Sequence, residues 1–204
     1  MKYLAVSFLT GVLLSACVHP GQPAHNSQDS LPGSDSGAAK NTFFPVAEFL
    51  ETEILAVDSM PLALKQFTVH KDKTDSVFLT VPQFNALALQ FIPPEMRDDG
   101  LEKNFTESSF VDRATRSITF TYSPRDKNLP LQRVDVLTTA GVRAQQVKSI
   151  YLERNRTAGD SSILQKLYWR AGHSFQIVTM TRVKGASPLE EQLRVVWNGD
   201  EEDQ

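Results

Sequence analysis

The residues able to do covalent chemistry are few. Cys17 is the one thiol in 204 residues. A lone cysteine excludes an internal disulfide framework and any paired-cysteine zinc or redox site. It stands where an apolar run, Leu4 to Leu14, gives way to polar sequence, and Lys2 precedes that run. The run is about 11 residues long, too short to cross roughly 30 Å of hydrocarbon as a helix and typical of the apolar core of an export signal. Leu14-Ser15-Ala16 leads directly into the thiol. The small pair lets a peptidase approach the backbone, and the thiol is the soft nucleophile that a thioether requires.

Leu14-Ser15-Ala16-Cys17 resembles the lipobox of bacterial lipoproteins. The resemblance covers residues 1–17. It implies a signal peptide over 1–16, cleavage before Cys17, a diacylglycerol on its sulfur and an acylated new amino terminus. Cys17 is thus the expected lipid-attachment site. Two or more acyl chains give stable anchoring, because each buried methylene contributes about 0.8 kcal/mol and one chain alone is marginal. In the outer-membrane lipoproteins of Gram-negative bacteria, Asp after the cysteine favours retention in the inner membrane. Val18 stands there instead, which implies the outer membrane. The absence of an acidic cluster behind Cys17 points to the periplasmic face.

Other candidate chemistry is sparse. GxSxG, HExxH, P-loop and GxGxxG patterns are absent. His19 and His25 lie in a tract rich in Pro, Gly, Ser and Asn, where solvation is the commoner fate than metal binding. His70 and His173 sit at expected turns. Glu48, Glu51 and Glu53 fall on one expected helix, where carboxylates are more often a solvated face than a glycosidic acid/base pair. Asp72 and Asp75, with Lys71 and Lys73, read as a turn, with too few oxygen ligands for calcium. Asp98-Asp99-Gly100 is turn chemistry as well. Tyr168-Trp169 beside Arg170 could stack a base or a sugar, although aromatics on alternate sheet faces usually divide between core and rim. Arg143, Lys148, Arg154 and Arg156 read as a strand-edge face. With 21 Lys and Arg against 24 Asp and Glu, a net charge of −3 argues against nucleic acid as a partner. The expectation is therefore a non-enzyme, with no catalytic, metal or cofactor residues.

The elements that would present these residues follow from periodicity. Residues 17–41 hold no apolar repeat and are expected to act as a tether behind the lipidated cysteine. One α+β domain is expected over 42–199, and Asp200 to Asp203 makes an acidic, solvated tail within 200–204. Val46, Phe49, Leu50, Ile54 and Val57 predict a helix over 45–58, with Thr42 as a plausible cap. Leu64 to His70 and Ser76 to Val81 predict a hairpin. Pro82, Phe84, Leu87, Ala88 and Phe91 predict a second helix over 82–91. Thr106 to Arg113 reads as loop or helical turn. From Ser117 the period changes to two. Six strands are expected, within 117–122, 133–139, 147–154, 163–170, 175–183 and 190–197, separated by turns such as Ala140-Gly141 and Ala171-Gly172.

Together these give two N-terminal helices packed on a curved antiparallel meander of about six strands, plus the hairpin. Leu164, Tyr168, Val178, Met180 and Val196 make the second strand face half apolar, so both faces should be partly covered, with these residues packed under the helices. Two functions fit. One is a non-enzymatic binding or structural module of the envelope, touching another envelope component. The layout resembles small Gram-negative envelope lipoproteins only generically. The other is a carrier, with that half-apolar face lining a cavity for an apolar or lipidated ligand.

Overall fold

A computed structural model of the chain describes residues 43–70, 73–139 and 146–198. The expected signal peptide, Cys17, the tether, the Thr42 cap, the Lys71-Asp72 tip, the Ala140-Gly141 turn with Arg143, and the acidic run from Asp200 lie outside the described residues.

Apolar residues at helical spacing produce the first element. α1 runs Val46–Ser59 and buries Val46, Ala47, Leu50, Ile54 and Val57 on one stripe. After a hairpin, α2 runs Val81–Ala88 and continues as a 3-10 turn over Leu89–Phe91. Gln83 reaches back to accept the Thr80 backbone N–H at 2.8 Å, a side-chain cap that sets the start of α2. Pro93 and Pro94 end this helical stretch, since proline lacks the N–H that would continue it. α3 is one turn, Gly100–Asn104. Asp98 and Asp99 before it are left-handed, at φ 49° and 59°. Gly100 admits no side chain, because a Cβ there would lie 2.5 Å from the Glu95 carbonyl oxygen.

The expected fold is overturned. In place of a six-stranded meander plus a separate hairpin under two helices, the described residues form one nine-stranded antiparallel sheet and three short helices. The strands are β1 (Lys65–His70), β2 (Lys73–Phe78), β3 (Phe105–Asp112), β4 (Ser117–Pro124), β5 (Leu131–Thr139), β6 (Val147–Ala158), β7 (Ser161–Arg170), β8 (Ser174–Val183) and β9 (Leu189–Val196). They lie in the order β2-β1-β9-β8-β7-β6-β5-β4-β3. Two pairings cause the change. β1 joins β9 from Lys65–Val196 to His70–Glu191, so the hairpin extends the sheet. The segment read as loop or helical turn is β3, paired along its whole length with β4. Its alternation is weak because almost every residue of this edge strand is exposed, and an edge strand needs no apolar face.

One face of the sheet carries Ile150, Trp169, Phe175 and Val195 as cross-strand neighbours, with Leu152, Leu167, Ile177 and Leu193 in the next row. β5 keeps Leu131 and Val134 on this face despite their odd spacing, through a bulge between Leu131 and Arg133. α1 and α2 pack here. Phe91 meets Trp169 edge-on at 5.2 Å, and Phe84 meets Trp197 edge-on at 5.5 Å. Trp169 stacks on Phe175 at 5.4 Å. Such pairs add about 0.5–1.5 kcal/mol beyond the area they bury. Glu53 of α1 is not part of a solvated face. Its Oε2 accepts the Trp169 indole N–H at 3.3 Å and the Gly172 backbone N–H at 2.6 Å, tying the helix to the β7–β8 turn. Gly172 makes that turn at φ 71°, which suits a residue without Cβ.

Two stability changes are expected, both read by urea unfolding. Trp169→Ala should cost about 3–5 kcal/mol, because it opens a void among the three rings of Phe91, Phe175 and Trp197. Glu53→Ala should cost about 1–3 kcal/mol by removing the acceptor of two hydrogen bonds.

Candidate functional site

The second face of the sheet is built by the alternate residues of the same strands. Its central row runs Thr121, Asp135, Tyr151, Tyr168, Gln176, Arg194 and Phe67, each the cross-strand neighbour of the next. Neighbours in such a row stand about 4.8 Å apart. A parallel row holds Arg133, Glu153, Lys166, Val178, Gln192 and Val69. A third holds Ser149, Arg170, Ser174, Val196 and Lys65. Tyr168 is 44% exposed here while its neighbour Trp169 is fully buried on the other face.

Polar contacts organise one half of this open face. The Thr121 hydroxyl donates to Asp135 Oδ1 at 2.8 Å. Arg133 Nε meets both Asp135 oxygens, at 3.0 and 2.8 Å. That carboxylate holds the Arg133 guanidinium above its ordinary value. The Tyr151 hydroxyl donates to Glu153 Oε2 at 3.0 Å. Burial first, and then that carboxylate, push Tyr151 up to about 12. Towards β1 the face becomes basic, with Lys166, Arg170, Arg194 and Lys65, whose ammonium lies 4.8 Å from the Phe67 ring centre. The surface is a patterned polar-aromatic sheet, suited to recognising another surface by hydrogen bonds and charge.

The residues singled out by sequence are scattered by the fold. Glu48 and Glu51 are exposed on α1, apart from Glu53. The His70 ring lies 3.4 Å from Glu191 in an exposed pair. His173 Nδ1 lies 2.8 Å from the Asn198 carbonyl oxygen and joins the end of β9 to the β7–β8 turn. Asp75 and Lys73 lie on exposed β2. The basic set is not a strand-edge face, because β6 runs between β5 and β7 inside the sheet. Its Arg154 is half-buried on the helix side, donates to the Gln90 carbonyl at 3.4 Å and is pushed down by burial. Among the described residues, no three His, Cys, Asp or Glu stand close enough to hold a metal ion. No described helix is long and apolar enough to cross a membrane.

The half-apolar set is also placed differently from expectation. Leu164, Tyr168, Val178, Met180 and Val196 do not pack under the helices. They point to the open face, because Trp169, Leu167, Phe175 and Ile177 take the helix side and alternation sends their neighbours the other way. What sequence reading missed is the array of Asp135, Arg133, Tyr151 and Glu153. Each strand shows these residues as ordinary polar alternation, and only cross-strand register brings them into two adjacent rows.

No protein-family model, no curated protein and no solved structure matches this chain.

The tyrosine array carries a titration signature. Raised above the ordinary value of 10, the Tyr151 hydroxyl contributes stability that is complete below pH 10 and is lost as pH climbs through about 12. An ultraviolet tyrosinate titration of Tyr151→Phe should lack the component near 12 that the unaltered chain shows.

Proposed function

We propose that this protein is a lipid-anchored envelope protein that binds another envelope component through the open face of its sheet. Cys17 carries the lipid, the anchor sits in the outer membrane, and the domain faces the periplasm. The module is non-enzymatic. The observation that carries the binding role is the open face itself, with Tyr168 44% exposed between the Arg133–Asp135 pair and the basic strip of Arg170 and Arg194. Recognition surfaces are enriched in Tyr and Arg, which combine contact area with directional bonds. The carrier alternative is less well supported. The residues that would line its cavity, Leu164, Tyr168, Val178, Met180 and Val196, lie on the open face instead of under the helices, and the side the helices cover is filled by Phe84, Phe91, Trp169, Phe175 and Trp197, with ring centres 5.2–6.1 Å apart.

Anchoring is tested by membrane fractionation of Cys17→Ala beside the unaltered chain, with mass spectrometry of the peptide that begins at residue 17. The unaltered chain should sediment with membranes and carry acyl groups on Cys17, and the variant should be soluble. An unmodified Cys17, or solubility of both, would remove the anchor and the location with it.

A further inference from the structure

We propose that the β3 edge of the sheet pairs antiparallel with the β3 edge of a second copy of this chain, across a two-fold axis at Phe110. This goes beyond the binding role, and it does not rest on the anchor at Cys17. β3 ends the strand order, and among the described residues no strand lies beyond it. Natural sheets protect such edges with Lys, Pro, bulges or very short strands. β3 has none of these. It spans eight residues, Phe105–Asp112, contains neither Lys nor Pro, and keeps one register with β4 from end to end. The opposite edge, β2, has six residues and carries Lys73. From Thr106 to Val111 every residue of β3 is exposed, Phe110 to 68% and Val111 to 54%. An edge of this kind offers its free main-chain groups to another strand.

The hydrogen-bond phase of the ladder fixes which groups are free. Arg125 donates its N–H to the carbonyl of Asn104, the residue opposite it when the Phe105–Pro124 register is carried one step on. Antiparallel ladders alternate, so Thr106, Ser108, Phe110 and Asp112 turn their main-chain groups to β4. Those of Glu107, Ser109 and Val111 point outward. Pro124 agrees with this phase, since it faces Phe105 at a position that asks no N–H of it.

A symmetric pair must match outward groups with outward groups, so its axis passes through a residue and not between two. Near the middle of β3 that leaves Glu107, Ser108, Ser109 and Phe110. An axis at Glu107 or Ser108 brings the two Glu107 carboxylates together, and one at Ser109 sets Val111 against Glu107. An axis at Phe110 sets the two Phe110 rings against each other and Ser109 against Val111. It also sets Glu107 against Arg113, the exposed residue that follows β3, once on each side of the axis. Glu107 meets the Tyr122 hydroxyl within its own chain, and a carboxylate has acceptor sites for both. Aromatic and opposite-charge pairs are the favourable cross-strand combinations, and two-fold interfaces are self-complementary in this way. Phe110 shares the open face with Thr119, Leu137 and Ser149 of its row, so the pairing joins two open faces into one surface.

The test places one thiol at a time in the full chain carrying Cys17→Ser, so its outcome is separate from that of the anchor. At the axis the two Phe110 Cα atoms stand about 4.5 Å apart, within the range of about 4.4–6.8 Å that a disulfide spans. The two copies of Ser108 stand about 14 Å apart, four residues out of register. Phe110→Cys should therefore oxidise to a covalent dimer about tenfold faster than Ser108→Cys. Equal rates, or faster linking of Ser108→Cys, would overturn the proposal. Sedimentation equilibrium keeps Phe110 in place. The Cys17→Ser chain should form a dimer, and a monomer at every concentration tested would overturn the proposal. Adding Ser109→Pro removes an outward N–H that β4 does not use, so the circular dichroism should stay and the dimer should be lost. Adding Arg113→Glu instead should weaken the dimer about tenfold, through two ion pairs turned to repulsion. Undiminished dimer in either variant would discard the pairing.

Discussion

The packing of Trp169, Phe175 and Trp197 against Phe84 and Phe91 is the constraint on which the other features depend. Three of these rings come from strands β7, β8 and the end of β9, and two from the second helical stretch. Helices of 14, 8 and 5 residues are too short to hold themselves in water. They persist because the sheet offers them an aromatic face. The same contact decides which sheet face is covered. Once Trp169 points to the helices, strict alternation sends Tyr168 and Arg170 to the other side.

The two faces follow different physics as a result. The covered face is dense and apolar, and the Glu53 carboxylate binds its helix to the β7–β8 turn. The open face is held by contacts between neighbouring strands: Thr121 to Asp135, Arg133 to Asp135, Tyr151 to Glu153. The Arg133–Asp135 ion pair, on a face open to water, contributes little to stability. Together the contacts do give the face a fixed chemical pattern, with an acidic-aromatic half and a basic half. A rigid sheet holds that pattern in register across seven strands, which a loop could not do. The binding role proposed for this face needs such a surface more than it needs a pocket.

Sequence periodicity located most elements well. The helix expected over 45–58 is α1, and the alternation after Ser117 coincides with β4 to β9. It failed where one residue pattern has two structural meanings. Thr106 to Val111 alternates poorly because both sides of an edge strand are wet, so β3 read as loop. Leu164, Val178 and Met180 looked like buried packing, although they sit among Lys166, Gln192 and Glu190 on an open sheet. Apolar residues on a half-exposed surface are common, and their presence alone does not mark a covered face. Glu53 looked like its neighbours Glu48 and Glu51, and only its position over the β7–β8 turn sets it apart.

By itself the sequence determined what is local: the lone thiol behind a short apolar run, the turns at Gly159, Gly172 and Gly185, the stripe of α1 and the period of the strands after Ser117. These depend on residues a few positions apart, where chain geometry fixes which side chains can meet. Tertiary structure alone decided the joining of β1 to β9, the choice of covered face, and the row that brings Asp135, Tyr151, Tyr168 and Arg194 together. Those are pairings between residues up to about 130 positions apart. Their register is set by the aromatic core that many segments share, and no single segment contains that information.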